Sequence, residues 1–193
     1  MNIKQSLIEK IYSKEAVVGI IGLGYVGLPL ALLFTEKGFN VIGLDVDEKK
    51  VSVLNSGKSY IKHIAGAKIQ KSIESKKFYA SSDFSLINKC DAILICVPTP
   101  LTKKNEPEMK YVIDSAKIIA KHIRRGQLIV LESSTYPGTT NELLLPLFQE
   151  KFIREGRDKN EIVGSEFFLA FSPEREDPNN PDFNTETIPK IVG

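Results

Sequence analysis

Apolar and polar positions along this chain follow two rhythms, one helical and one extended. Leu7, Ile8, Ile11 and Tyr12 recur at helical spacing within residues 4–13 and predict a short leading helix. Residues 16–21 (AVVGII) form a β-rich apolar run ending in glycines, the mark of a buried strand. A helical pattern over 26–37 stops at Gly38, and glycine is the usual residue just past a helix end. A second strand is predicted at 40–44, ending at Asp45, and a helix at 48–56, closed by Gly57. In 58–76, Ile61, Ile64, Ile69 and Ile73 are spaced at threes and fours, which predicts helix with its lysines on a solvated face. A short strand follows at 78–80, then a fourth at 91–97, which Pro98 and Pro100 end abruptly. A helix at 109–123, a strand at 127–131, a loop at 133–138, a helix at 139–152 and a strand at 167–171 complete the series. From Pro173 onward the density of Pro and Asn predicts loop.

Strands and helices thus alternate throughout, and the strands are continuous apolar runs. Such a pattern gives an α/β fold: a doubly wound, mostly parallel sheet with helices on both faces. The 193 residues suit one domain with an appendage: a helical extension over 1–15 and a single domain over 16–193. With 26 basic against 24 acidic residues, the net charge of +2 leaves no footprint for nucleic acid. No apolar run approaches a membrane span, and the polar first 15 residues do not resemble a signal peptide, so the expected compartment is the cytoplasm. His63 and His122 have no Cys, His or carboxylate at ligand spacing, so no metal is expected. Cys90 and Cys96 read as small buried residues, with a catalytic thiol as the rival reading.

The first strand runs into Gly22, Gly24 and Gly27, spaced G-x-G-x-x-G in the stretch GLGYVG, where a helix begins. Gly22 permits a tight turn, Gly24 lets backbone approach a pyrophosphate, and Gly27 lets helix and strand pack closely. Tyr25 and Val26 belong to the same cofactor-binding turn, and the helix N-terminus offers N–H groups and partial positive charge to phosphates. Asp45 ends the next strand, roughly 20 positions beyond Gly22, where a carboxylate accepts hydrogen bonds from ribose hydroxyls. It repels a 2′-phosphate, so the expected cofactor is NAD rather than NADP. Were no ribose bound, Asp45 would be an exposed strand-end charge. Lys50 is either a second ribose partner or an ordinary exposed lysine. The whole reads as a Rossmann-type dinucleotide site.

In doubly wound sheets, ligands bind outside the carboxyl ends of the strands. Three further strand ends carry marked loops: Val97-Pro98-Thr99-Pro100, residues 132–139 (ESSTYPGT) and residues 172–178 (SPEREDP). They are expected beside the nicotinamide end, with Val97, Pro98, Thr99, Ser134 and Thr135 as cofactor contacts. Thr99 and Ser134 are equally readable as turn residues or helix caps. Taken in order, GLGYVGLP, the strand-end Asp45, CVPTP, SSTYPGT and FSPERxDP resemble the UDP-glucose/GDP-mannose dehydrogenase family. They look most like its branch acting on UDP-N-acetylglucosamine or UDP-N-acetylmannosamine.

The resemblance implies a cytoplasmic enzyme that oxidises C6 of a UDP-sugar from alcohol to carboxylate with two NAD⁺. It also implies a second half holding a UDP-binding domain, the catalytic cysteine and lysine, and a central helix that makes a homodimer. The chain alone is then expected to be a monomer and inactive, with neither Cys90 nor Cys96 as nucleophile. By the same resemblance Glu174 touches the cofactor and assists as acid/base in hydrolysis, with Thr135 beside it. Glu174 is otherwise a loop carboxylate paired with Arg175 or a neighbour. Arg175 is expected to meet the substrate's phosphate or sugar. The branch usually carries Gly where this chain has Asn179. The closing Lys190-Ile191-Val192-Gly193 reads as the start of another strand, cut short. Alternatives left open are a UDP-glucose or GDP-mannose dehydrogenase and a non-catalytic, stand-alone NAD-binding module.

Overall fold

The computed structural model describes residues 2–173 and 190–193. Six strands follow the predicted order: β1 (Val17–Ile21), β2 (Asn40–Leu44), β3 (Phe78–Ser81), β4 (Ala92–Ile95), β5 (Leu128–Leu131) and β6 (Phe168–Phe171). All pair in parallel in the order β3-β2-β1-β4-β5-β6. The helices are α1 (Ile3–Tyr12), α2 (Gly27–Glu36), α3 (Glu48–Asn55), α4 (Gly66–Glu74), α5 (Lys110–His122) and α6 (Leu145–Arg154).

The apolar runs are continuous because each strand feeds two cores. Val18 and Ile20 of β1, Val41 of β2 and Leu94 of β4 point into one core with Leu28, Ala31 and Leu32 of α2, Leu54 of α3 and Ile69 of α4. Ile21, Ile42, Leu44, Ile93 and Ile95 point to the opposite face, against Val112, Ala116 and Ile119 of α5 and Phe148 and Phe152 of α6. Period-two side-chain alternation thus buries both faces of the sheet. Packing at the centre is close enough to exclude a side chain: a Cβ on Gly19 of β1 would lie 2.7 Å from Cys90 Sγ.

Several expectations need correction. Residues 58–65 are not helical; the helix begins only at Gly66. Ile61 and Ile64 are nevertheless buried in the first core, reached from a turn rather than from a helical face. Strand β4 ends at Ile95 rather than at residue 97. The segment expected as helix from residue 139 opens with a π-helical stretch, Thr139–Leu144, after Gly138 takes a left-handed φ of 92°. A 3₁₀ turn over Phe84–Lys89, not foreseen, buries Ile87.

The leading helix is capped by Asn2 and docks through Leu7. It is tied down at Asp91, which precedes β4. Lys10 Nζ (2.9 Å) and Arg124 Nη2 (2.8 Å) both reach Asp91 Oδ1, and the Val17 N–H donates to Oδ2 at 3.0 Å. At the β6 edge of the sheet, Gly193 exchanges two backbone hydrogen bonds with Phe171, of 2.8 and 2.9 Å. That is an antiparallel bonded pair on the outer side of β6, where the sequence suggested a further strand.

Candidate functional site

The strand order steps outward from β1 in both directions, so a crevice opens above β1 and β4 at their carboxyl ends. A cleft of roughly 850 Å³ lies there, within the ~300–1,000 Å³ typical of small-molecule sites. Gly22, Gly24, Tyr25, Val26, Asp45, Lys50, Val97 and Pro98, all expected as cofactor contacts, line it.

The glycine-rich turn is shaped by close approaches. Gly22 has φ +90°, and a Cβ there would meet the Cys96 carbonyl oxygen at 2.7 Å; a Cβ on Gly27 would lie 1.9 Å from the Gly22 carbonyl oxygen. The turn therefore lies flat against the end of β4, and α2 starts directly beneath it. At Gly24, by contrast, a Cβ would meet nothing within 4 Å: that side is open cleft. Helix α2 has no side-chain cap and no acidic residue in its first turn. Leu28 already donates to the Gly24 carbonyl (3.1 Å) and Pro29 has no N–H, so what the helix start offers an anion in the cleft is chiefly the positive end of its dipole.

Asp45 is not the exposed strand-end charge that the reading without a ribose would make it. It is 7% exposed; Oδ2 accepts from the Leu23 N–H (2.9 Å) and Oδ1 from the Asp47 N–H (3.0 Å). The carboxylate thus ties the glycine turn to the end of β2. A carboxylate has about four acceptor positions, so two remain for ribose hydroxyls. Lys50 Nζ stands 3.7 Å from Asp45 Oδ2 and 5.8 Å from the ring centroid of Tyr60, which places it in the site rather than in open solvent.

Of the remaining expected contacts, Thr99 and Thr135 are half-buried, Ser134 is exposed, and none of the three lines the cleft. Ser133, which the sequence reading passed over, is the buried hydroxyl of that loop. It donates to the carbonyls of Val97 (2.7 Å) and Ile95 (3.2 Å), joining the ends of β5 and β4. Glu174, Arg175 and Asn179 lie outside the described residues.

The far wall of the cleft was not foreseen: Phe84 from the 3₁₀ turn, and Tyr111, Asp114, Ser115 and Ile118 from α5. Asp114 accepts from Lys110 Nζ at 2.6 Å, one helical turn away. Hydrogen bonding to that partner lowers the Asp114 pKa and raises that of Lys110, so both stay charged. Tyr60 is also part of the wall. Burial, and then Asp45 and Asp47, raise its phenol pKa well above the usual value.

Neither cysteine is in a disulfide, and both are buried. Burial, reinforced by Asp91 and opposed by Arg124, pushes the Cys90 thiol up to about 12, so it is not a nucleophile near neutral pH. Among the described residues no group of three or more His, Cys, Asp and Glu could hold a metal ion, and no helix is long and apolar enough to cross a membrane.

A parallel sheet in this order, with a glycine turn, an uncapped helix start and a strand-end carboxylate converging on the crevice, defines a dinucleotide-binding domain. The chain belongs to the UDP-glucose/GDP-mannose dehydrogenase family, matching its NAD-binding domain over residues 16–193. The cofactor of this domain is NAD. The chain is 31% identical over 179 residues to the UDP-N-acetyl-D-glucosamine 6-dehydrogenase of Pseudomonas aeruginosa, covering 93% of this chain and 40% of that protein. It is 30% identical over 165 residues to the UDP-N-acetyl-D-mannosamine dehydrogenase of Pyrococcus horikoshii, covering 83% and 37%. Among solved structures, the NDP-N-acetyl-D-galactosaminuronic acid dehydrogenase of Methanosarcina mazei superposes with a TM-score of 0.77 at 30% identity, over 91% of this chain and 38% of that one. The chain therefore spans about 40% of the length of these relatives.

Proposed function

We propose that this chain is the NAD⁺-binding part of a nucleotide-sugar 6-dehydrogenase that oxidises C6 of a UDP-N-acetylhexosamine to the carboxylate. The observation that carries the reading is the cleft itself, in which the Gly22–Gly27 turn, the bare start of α2 and Asp45 converge. NAD⁺, when bound, accepts hydride from the sugar alcohol. The chain's own residues hold it. The glycine turn and α2 take the diphosphate, Asp45 and Lys50 take the adenosine ribose, and Val97 and Pro98 lie along the wall. Asp45 sets NAD⁺ above NADP⁺, since a 2′-phosphate would approach its negative charge. Thr99, Ser134, Thr135 and Glu174 serve the nicotinamide end in this reading, with Glu174 as acid/base and Arg175 on the UDP-sugar. The UDP-N-acetylhexosamine class is supported by the names of the relatives at 31% and 30% identity.

Hydride transfer alone does not carry an alcohol to a carboxylate; a thiol adduct that water then releases is the usual route. The Cys90 thiol is buried with its pKa raised, and in this reading the buried Cys96, although it borders the cleft, is not the nucleophile either, so we expect the chain by itself to bind NAD⁺ without turning over any UDP-sugar. The same reading makes it a monomer, with the family dimer formed by a central helix outside it, and puts the enzyme in the cytoplasm. Calorimetric titration with NAD⁺ and with NADP⁺ tests the cofactor assignment: clear NAD⁺ binding with much weaker NADP⁺ binding supports it, and no binding of either removes it. NADH production by this chain with a UDP-sugar would overturn the absence of a nucleophile, and a tight dimer in sedimentation would overturn the assembly.

A further inference from the structure

Between α3 and α4 the chain folds back onto the glycine turn. Ile61 and Ile64 anchor this connection in the first core, and Ser59 Oγ pins its bend by accepting the Ile61 N–H at 3.1 Å. Tyr60 is thereby set into the cleft wall, with its hydroxyl donating to the Leu23 carbonyl. Leu23 lies between the first two glycines of the turn, and its own N–H donates to Asp45 Oδ2 at 2.9 Å. Both backbone polar groups of this residue are thus tethered from outside the turn. A little further along, His63 stacks on Tyr25 with ring centroids 5.8 Å apart and planes 28° from parallel.

We infer that Tyr60 is a positioning residue of the dinucleotide site, its hydroxyl locking the Leu23–Gly24 peptide plane so that the Gly24 N–H is aimed at the diphosphate. The inference rests on the NAD-binding reading above. A trans peptide is planar, so the Leu23 carbonyl and the Gly24 N–H point in opposite directions and move as one unit. Fixing the carbonyl fixes the donor. The tether is needed because Gly24 has no side chain and faces open cleft, so its backbone has the widest choice of conformations to lose when a ligand arrives. Holding the donor in advance removes that cost from binding. The hydroxyl remains protonated near neutral pH because burial and the nearby Asp45 and Asp47 disfavour the phenolate.

The test compares wild-type chain and Tyr60→Phe, which keeps the ring and deletes the tether. Affinities for NAD⁺ and ADP-ribose are measured by calorimetry, affinity for adenosine by ligand-observed NMR, and thermal melting is followed in parallel. The expected result is NAD⁺ and ADP-ribose binding weakened about three- to tenfold, the scale of one hydrogen bond, with adenosine binding unchanged. A merely structural role would weaken all three ligands together, so a uniform loss overturns the inference, as does ADP-ribose binding equal to wild type. If Tyr60→Phe does not melt cooperatively, His63→Ala loosens the same connection from its exposed side. Selective weakening of ADP-ribose is expected there too, and an unchanged or uniform effect overturns the inference. Wild-type chain that binds no NAD⁺ fails before any variant is compared, and that outcome overturns the NAD reading and the inference with it.

Discussion

At the scale of single residues, the three glycines of the turn are not interchangeable. Gly27→Ala puts a methyl group 1.9 Å from a backbone oxygen, so helix and turn must separate. The expected cost is at the upper end of, or beyond, the ~1–3 kcal/mol of an overpacked site. Gly24→Ala meets nothing within 4 Å and is expected to melt close to wild type. Its methyl group stands instead where the diphosphate must approach, so NAD⁺ binding is lost in a folded protein. Thermal melts paired with NAD⁺ titration separate the two, and a Gly24→Ala chain that binds as wild type would remove the pyrophosphate from this turn. The spacing of the glycines was legible from sequence because Gly22 and Gly27 lie too close to backbone to carry a side chain, while Gly24 faces open space beside them. The second role of Asp45 was not. Its bond to the Leu23 N–H crosses from β2 to the turn after β1, and nothing local in the sequence distinguishes a carboxylate that receives two backbone N–H groups from one that waits for a ribose.

At the scale of elements, α1 and the start of β4 are joined through Asp91. Burial works to raise the Asp91 pKa, but the Val17 N–H, Arg124 and Lys10 outweigh it and the net shift is downward. A carboxyl whose pKa is lower folded than unfolded stabilises the fold above about pH 4, its unfolded value, and loses that contribution as pH falls through the folded value. Asp91→Asn is therefore expected to cost about 1.5–3 kcal/mol at pH 7, the scale of hydrogen bonds to a charged group. Below pH 4 the cost should shrink towards zero. Urea unfolding from pH 7 down to pH 2 checks this, and a deficit that stays constant across that range would mean the charge plays no part. The strands were legible because they are buried on both faces and read as unbroken apolar runs. The connection at 58–65 misled because Ile61 and Ile64 have helical spacing while a turn buries them. The far wall of the cleft was illegible for a related reason: the cleft face and the core face of α5 look alike in an amphipathic pattern, and only the fold brings Tyr111 and Ser115 opposite Gly22.

At the scale of the whole molecule, the site belongs to no single element. It is framed by the ends of β1, β2 and β4, by the connection before α4 and by the first turns of α5. A ligand that spans these parts should stabilise them together. At 100 times its dissociation constant, NAD⁺ adds about 2.7 kcal/mol to folding stability, which for a domain of this size raises the melting temperature by about 5–10 °C. NADP⁺ at the same concentration is expected to give a clearly smaller rise, and equal shifts would remove Asp45 as the discriminator. The overall fold was readable because strand and helix alternate from end to end.

The contact between Gly19 and Cys90 constrains how this sequence can drift. A methyl group at position 19 would lie 2.7 Å from the thiol sulfur but 3.3 Å from the Cys90 Cβ, so once the sulfur is gone alanine in β1 requires residue 90 to give by only a few tenths of an ångström. Of the two routes to a paired Gly19→Ala and Cys90→Ala exchange, one runs through a crowded intermediate and the other through a small void. Descendants are expected to cross in the second order, losing the thiol first. In a double-mutant cycle the pair should show an interaction of about 1–2 kcal/mol in favour of the double variant, whereas simple additivity would leave the two positions free to change independently.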